Sequence, residues 1–248
     1  MVNEVPDRRF GGKLLAIIAP HAGYQYSGLT AAYAYKLLQG LSFDLVVVVS
    51  PSHREYFNGI SIFPGTAYQT PLGIMPVDEQ LRAALTSSGA IISSSLKGHR
   101  AEHAVEVHLP FIQKFLGDVK ILPVVMGDQR GEYCYYLGEK LGEALNGKSA
   151  LLVASSDLSH FHPGPEANAL DSIVVRDLEK FDPAKLIDDL DTSRTEACGG
   201  GPIASILIAA RMLGGNSVKV LDHRNSGDVT GDQSSVVGYL SAAIFKEN

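Results

Sequence analysis

The chain has no tryptophan, and only two of its 248 residues are cysteines, Cys134 and Cys198. Two thiols are too few for a disulfide framework or a thiolate zinc knuckle. An excess of positive charge is also missing. Lys and Arg number 21 against 27 Asp and Glu, a formal charge of −6, and no basic cluster stands out. Nucleic acid is therefore not an expected partner. Long apolar runs are absent as well: the longest, such as Leu45–Val49, fall far short of the roughly 20 residues that a helix needs to cross a bilayer. No membrane contact is expected. The opening stretch MVNEVPDRRF contains no apolar leader, which predicts a cytoplasmic protein.

What the chain does have is apolar material sufficient for one large core. KLLAIIA (13–19), DLVVVVS (44–50), VKILPVVM (119–126) and SALLVASS (149–156) are apolar on both faces, the pattern of strands covered on two sides. SVKVLDH (217–223) and SVVGYLSAAIF (235–245) read as later strands. Helical periodicity falls at roughly 28–39, 78–88, 103–116, 131–146, 166–180 and 202–214. Asp78 and Asp182 stand where N-caps belong, the second followed by Pro183. The alternation predicts an α/β protein, a central mostly parallel sheet flanked by helices. No repeat or low-complexity linker marks a boundary, so a single domain over 1–248 is expected.

Polar residues collect where the apolar strands stop. IIA runs into Pro20-His21, VVVS into Pro51-Ser52-His53, and LVASS into Asp157, Leu158, Ser159 and His160. A fourth strand ends in His223, Arg224 and Asn225, with Asp228 just beyond. In open α/β sheets ligands bind outside the carboxyl ends of the strands, so these residues are expected to converge. The competing account makes each an independent turn with an exposed imidazole. Two imidazoles and a carboxylate with open positions are the ligand set of non-haem Fe(II) oxygenases and of some catalytic zinc sites. A further histidine beside such a set is suited to proton transfer.

The stretch AEHAVEVHLPF (101–111) is a second dense cluster. Read as a helix, it puts Glu102 and Glu106 on one face with His103 beside them. His103 and His108 are five residues apart, about 140° around a helix, so they are not expected to share a metal. A solvated helix face and a role in supporting ligands or binding substrate both remain open. Tyr24 and Tyr26 are candidates for lining a pocket or for packing a turn. Cys198 precedes GGGPIA at a helix start, where a thiol's pKa falls, although a small residue beside a tight glycine turn explains it equally. Those glycines match neither a dinucleotide fingerprint nor a P-loop.

In order along the chain, PHAGYQYSG, SPSH, EHAVEVHLPF, PVVMG, SSDLSH, CGGGPI and DQSSVVGY resemble the Memo family. That family is named for a mediator of cell motility in animals and has archaeal and bacterial members of the AmmeMemoRadiSam system protein B type. The resemblance spans about residues 16 to 244. It implies a fold like the catalytic subunit of type III extradiol ring-cleavage dioxygenases, which use non-haem Fe(II), and partners of radical-SAM and AMMECR type. By the same resemblance His21 and His53 match the family's metal-site histidines, while Asp157 and His160 match its Asp and acid/base His. The third metal-proximal residue is a cysteine in the animal form. Counting back from the shared SSV, that position falls on Asp228, and Cys198 is assigned to a different motif. The resulting expectation is a divalent metal, Fe(II) first with zinc or copper as alternatives, held by His21, His53 and Asp228. Asp157 would orient His160, and Tyr24, Glu102, His103, Glu106, His223 and Cys198 would lie around the site. The cleft's expected ligand is a small molecule or a peptide, and two other uses stay open: recognition of a peptide or partner protein without catalysis, and zinc-dependent hydrolysis.

Overall fold

The computed structural model describes residues 1–87, 89 and 91–247. The chain begins with strand β1 (Lys13–Ala19), helix α1 (Tyr24–Tyr35), β2 (Leu45–Pro51) and a short strand β3 (Ile60–Ile62). A hairpin of β4 (Ala67–Thr70) and β5 (Gly73–Pro76) leads to α2 (Glu79–Thr86), β6 (Ile92–Ser94) and α3 (Leu109–Leu116). Next come β7 (Lys120–Met126), α4 (Gly131–Leu145), β8 (Ala150–Ser155) and the short β9 (His160–His162). Helices α5 (Gly164–Glu179), α6 (Pro183–Asp191) and α7 (Gly200–Met212) follow. The chain closes with β10 (Ser217–Asn225), the single turn α8 (Gly227–Thr230) and β11 (Val236–Lys246).

The main sheet runs β10-β11-β1-β8-β2-β7-β3-β6, with β9 paired to β11. Its centre is parallel: Ala16 lies beside Leu152, Leu152 beside Val47, and Val47 beside Leu122. All four are fully buried, as two-faced apolar strands require. Towards the edges the sheet is mixed, because β11 runs antiparallel to β1 and β10, and β3 antiparallel to β7. Helix α7 packs on β1, β2 and β8 and is covered by α4 and α6. Its residues Gly200 to Ala210 are therefore buried all round. The Asp78 and Asp182 carboxylates accept from the N–H groups of Leu81 and Lys185 at 2.8 and 3.0 Å, so both caps form as expected.

Three expectations are corrected. Helix α1 begins at Tyr24 rather than 28, with Gly23 as its N-cap. The expected helix 103–116 is turn at 101–105, a 3-10 turn over Glu106–His108 and then α3. Pro110, in the first turn of α3, has no N–H to give, and its ring would strike an upstream carbonyl, so a regular helix cannot continue back through it. Glu102 and Glu106 consequently share no helix face. Strands β3 to β6 and β9 have three or four residues each, too few to show a period. Position 88, the end of the helix expected over 78–88, lies outside the described residues.

Candidate metal centre

Parallel register sets the stage. Ala19 pairs with Ser155 and Val49 with Ala154, so β1, β2 and β8 all end at one edge of the sheet. His21, His53 and Asp157 are released there. The His21 and His53 rings come to 5.0 Å between centroids. The segment that precedes α7 crosses the same edge, and Cys198 Sγ lies 3.2 Å from His21 Nε2. Ligand atoms of His21, His53 and Cys198 all fall within 4.8 Å of one another. With metal–nitrogen bonds near 2.1 Å and metal–sulfur bonds near 2.3 Å, one ion can reach all three.

The surroundings aim these donors. Ser155 Oγ donates its one hydrogen to the Ala104 carbonyl at 2.6 Å. Its contacts to His21 Nδ1 at 2.7 Å and His108 Nε2 at 2.8 Å must then be bonds it accepts. His21 therefore carries its proton on Nδ1 and turns the Nε2 lone pair to Cys198. The His53 Nδ1 lies 3.0 Å from Glu102 Oε1, and the carboxylate also accepts from the backbone N–H groups of His53, His103 and Ala104 at 2.6, 2.9 and 3.1 Å. Burial would raise the Glu102 carboxyl, but the His53 and backbone hydrogen bonds outweigh it and bring the pKa down to about 2. Glu102 and His103 form a second close group with His53. Glu102 Oε1 thus holds the His53 ring at Nδ1, the position that carboxylates take behind metal-bound histidines.

Asp157 backs the site. Its Oδ1 accepts from the N–H groups of His21 and Ala22 at 2.8 and 3.3 Å, and Oδ2 lies 3.9 Å from His21 Nε2. Its backbone holds the cysteine reciprocally: the Asp157 N–H points at Cys198 Sγ, 3.3 Å away, and the Cys198 N–H donates to the Asp157 carbonyl at 3.2 Å. Gly199 allows this approach. A Cβ there would stand 2.2 Å from the Ser155 carbonyl oxygen. Burial lowers the His21 pKa well below its usual value and raises that of the Cys198 thiol, so the free site holds a neutral imidazole and an S–H. A bound cation would take the place of that thiol proton.

The structure does not bring Asp228 to this cluster. It lies exposed in the first turn of α8, where its Oδ2 accepts from the Asn225 N–H at 2.9 Å, and it lines a separate depression with His223. Cys198, assigned above to another motif, is the residue whose ligand atom meets His21 and His53. His223 faces Asp171, with Nε2 3.5 Å from Oδ2. Glu106 is exposed and is in neither close group. Tyr24 donates to the Val107 carbonyl at 2.8 Å and sets its ring against Phe111, which ties α1 to α3. His103 does reach the cluster, its ring stacked 5.3 Å from that of His53. His160 lines a cleft of about 530 Å³ beside Cys198, but its Nδ1 is held by the Leu158 carbonyl at 2.8 Å. Asp157 does not orient it. Ser155 escaped sequence reasoning, since a serine ending an apolar strand looks like any strand terminus, and His108, considered only as a partner of His103, was not expected to hold it.

Buried histidines also make the fold sensitive to acid. Burial lowers His99 to about 4 and His108 to about 3, whereas both titrate near 6.5 when unfolded. Between those values the unfolded chain binds protons that the folded chain refuses. Stability is thus full above about pH 6.5 and falls as the pH drops, by up to about 1.4 kcal/mol per unit for each histidine. Urea unfolding of the metal-free protein from pH 7 to 5 should show this slope, and His99→Gln should flatten it. A stability independent of pH across that range would contradict the assignment.

An α/β sheet with a possible metal-binding group of histidine and cysteine at the carboxyl ends of its parallel strands defines the class. The chain belongs to the Memo family: the family described as Memo-like protein matches residues 2–243. It is 40% identical over 234 residues to a MEMO1 family protein of Methanobrevibacter smithii, covering 93% of this chain and 82% of the relative. A MEMO1 family protein of Methanosarcina mazei is 39% identical over 238 residues, with 95% and 86% covered. The crystal structure of an uncharacterized protein from Escherichia coli K12 superposes with a TM-score of 0.63 at 17% identity, covering 93% of this chain and 99% of that one. That likeness concerns the fold. Among the described residues no helix is long and apolar enough to cross a membrane.

Proposed function

We propose that this chain is a metal-dependent oxidoreductase that holds iron(II) on His21, His53 and Cys198. The observation that carries the reading is the convergence of three ligand atoms within 4.8 Å, with the His21 lone pair aimed at the site by a fully buried serine. Two neutral imidazoles and one thiolate leave a divalent ion with one uncompensated charge, and the Glu102 carboxylate, held ionised against His53, supplies the balance. Thiolate and imidazole both suit iron and zinc, while the thiolate disfavours magnesium and calcium. When bound, iron(II) supplies electrons and open positions for dioxygen or substrate.

The remaining chemistry belongs to the chain itself. His160 keeps its Nδ1 proton on the Leu158 carbonyl, which leaves Nε2 of this cleft-lining residue to take or give a proton at the substrate. The cleft beside Cys198 admits a small molecule. Anaerobic loading with Fe(II) or Zn(II), elemental analysis, and oxygen uptake with a panel of catechols test the reading. Oxygen uptake with iron but not zinc is expected. Tight metal binding without turnover of any member would instead favour a binding role. His160→Ala should retain its metal and lose roughly 10²–10⁴-fold in turnover, whereas complete loss of metal would make His160 a ligand.

A further inference from the structure

The opposite edge of the sheet, where β1 and β8 begin and β11 ends, carries a second cavity of about 630 Å³. That volume lies in the range of small-molecule sites. Lys13 opens β1 here while His21 follows its other end. A strand of seven residues, at about 3.3 Å each, places the cavity on the order of 20 Å from the metal cleft.

We propose that this cavity binds an amphiphilic organic anion, an apolar and preferably aromatic body carrying a phosphate or carboxylate. The charge at its rim is the first support. Arg8, Arg9, Lys13 and Lys36 face the single carboxylate of Asp7, a local net charge of +3 in a chain of −6. Two of these cations are committed to structure. Arg8 donates to the Leu221 carbonyl at 2.9 Å and lies over the Tyr33 ring, and Lys36 pairs with Asp7 at 2.8 Å. Arg9 and Lys13 make no ion pair or side-chain hydrogen bond among the described residues; Arg9 acts on Asp7 only through its field, so both cationic heads are open to a ligand.

The interior is the second support. Phe10, Phe43 and Phe245 line it, and the Phe10 and Phe245 rings meet at 5.4 Å. Aromatic walls beneath free cations suit a flat apolar body with an anionic head. The wall is also built in advance. Gly12 turns at φ +89, and a Cβ there would stand 2.5 Å from the Lys246 carbonyl oxygen. Only glycine lets the chain press so closely on the end of β11 while residues 7–10 fold over the sheet edge. A preformed wall spares the ligand the cost of ordering it.

The test titrates the metal-free full chain with 1-naphthyl phosphate, 1-naphthoate, uncharged 1-naphthol and inorganic phosphate, followed by calorimetry. Saturable binding of one or both naphthyl anions at a single site is expected, and the two arms identify the preferred head group. The double substitution Arg9→Glu with Lys13→Glu, at exposed positions that leave the core intact, should weaken binding by about tenfold or more, and 1-naphthol should bind about as weakly as that. Cys198→Ser should bind the anions as the parent does. The proposal is overturned if neither anion saturates, if 1-naphthol binds equally, or if the charge reversal changes nothing. Loss of binding in Cys198→Ser would assign the anion to the metal cleft and overturn it too.

Discussion

Cys198→Ser is expected to weaken Zn(II) and Fe(II) binding by more than about 100-fold, while Asp228→Ala leaves both affinities unchanged. A serine hydroxyl stays protonated at neutral pH and cannot replace the thiolate, the one anionic donor among the described residues that groups with both His21 and His53. The ion would be left on two neutral imidazoles in a site whose remaining carboxylates, Glu102 and Asp157, stand behind His53 and His21. Cys198→Asp should recover part of the affinity and shift preference from softer to harder ions, because carboxylate oxygen replaces sulfur. Cobalt(II) gives a direct readout, since sulfur-to-metal charge-transfer absorption requires the thiolate. Asp228 caps the Asn225 N–H, so its removal should lower stability only by about 1 kcal/mol. Equal metal affinity in wild type and Cys198→Ser would remove the thiolate from the site, and metal loss in Asp228→Ala would restore the carboxylate.

Ser155→Ala should have the second largest effect, although the serine touches no metal. Its hydroxyl accepts from two buried imidazoles and donates to the Ala104 carbonyl. Removing it strands three polar groups in the core, at a cost of about 1–3 kcal/mol for each one left unpaired. It also frees the His21 tautomer, so that Nε2 no longer has to present a lone pair to Cys198. Metal affinity should fall about 10–100-fold, as for other residues that hold a ligand in place. Ring-nitrogen NMR separates this from general destabilisation. Wild-type His21 should be protonated at Nδ1, and the variant should show a mixture. A variant that loses stability but keeps both the tautomer and the affinity would reduce Ser155 to a packing residue.

Much of the fold was legible because it depends on local pattern. The runs at 13–19, 44–50, 119–126 and 149–156 are apolar on both faces, and that character alone assigns them to the middle of a covered sheet. Parallel neighbours end at a common edge, so His21, His53 and Asp157 were predictable as a group. The caps at Asp78 and Asp182 were legible for the same reason, because a cap is a contact within one turn.

Only the tertiary structure shows which of Cys198 and Asp228 lies against His21 and His53. Both follow or precede a regular element by a few residues, and counting along the chain cannot tell which reaches His21. The choice is made by α7, whose packing on β1, β2 and β8 draws the preceding cysteine over the sheet edge to 3.2 Å from the imidazole. It is made equally by α8, which turns Asp228 back onto its own Asn225. Glu102 behaves the same way. Spacing put it on a helix face, whereas Pro110 forces the segment before it into turns that deliver the carboxylate to His53. Local periodicity determines which residues are buried and where strands stop, and a ligand set is determined by distances of a few ångströms between atoms far apart in sequence, which only the packing of the whole chain can set.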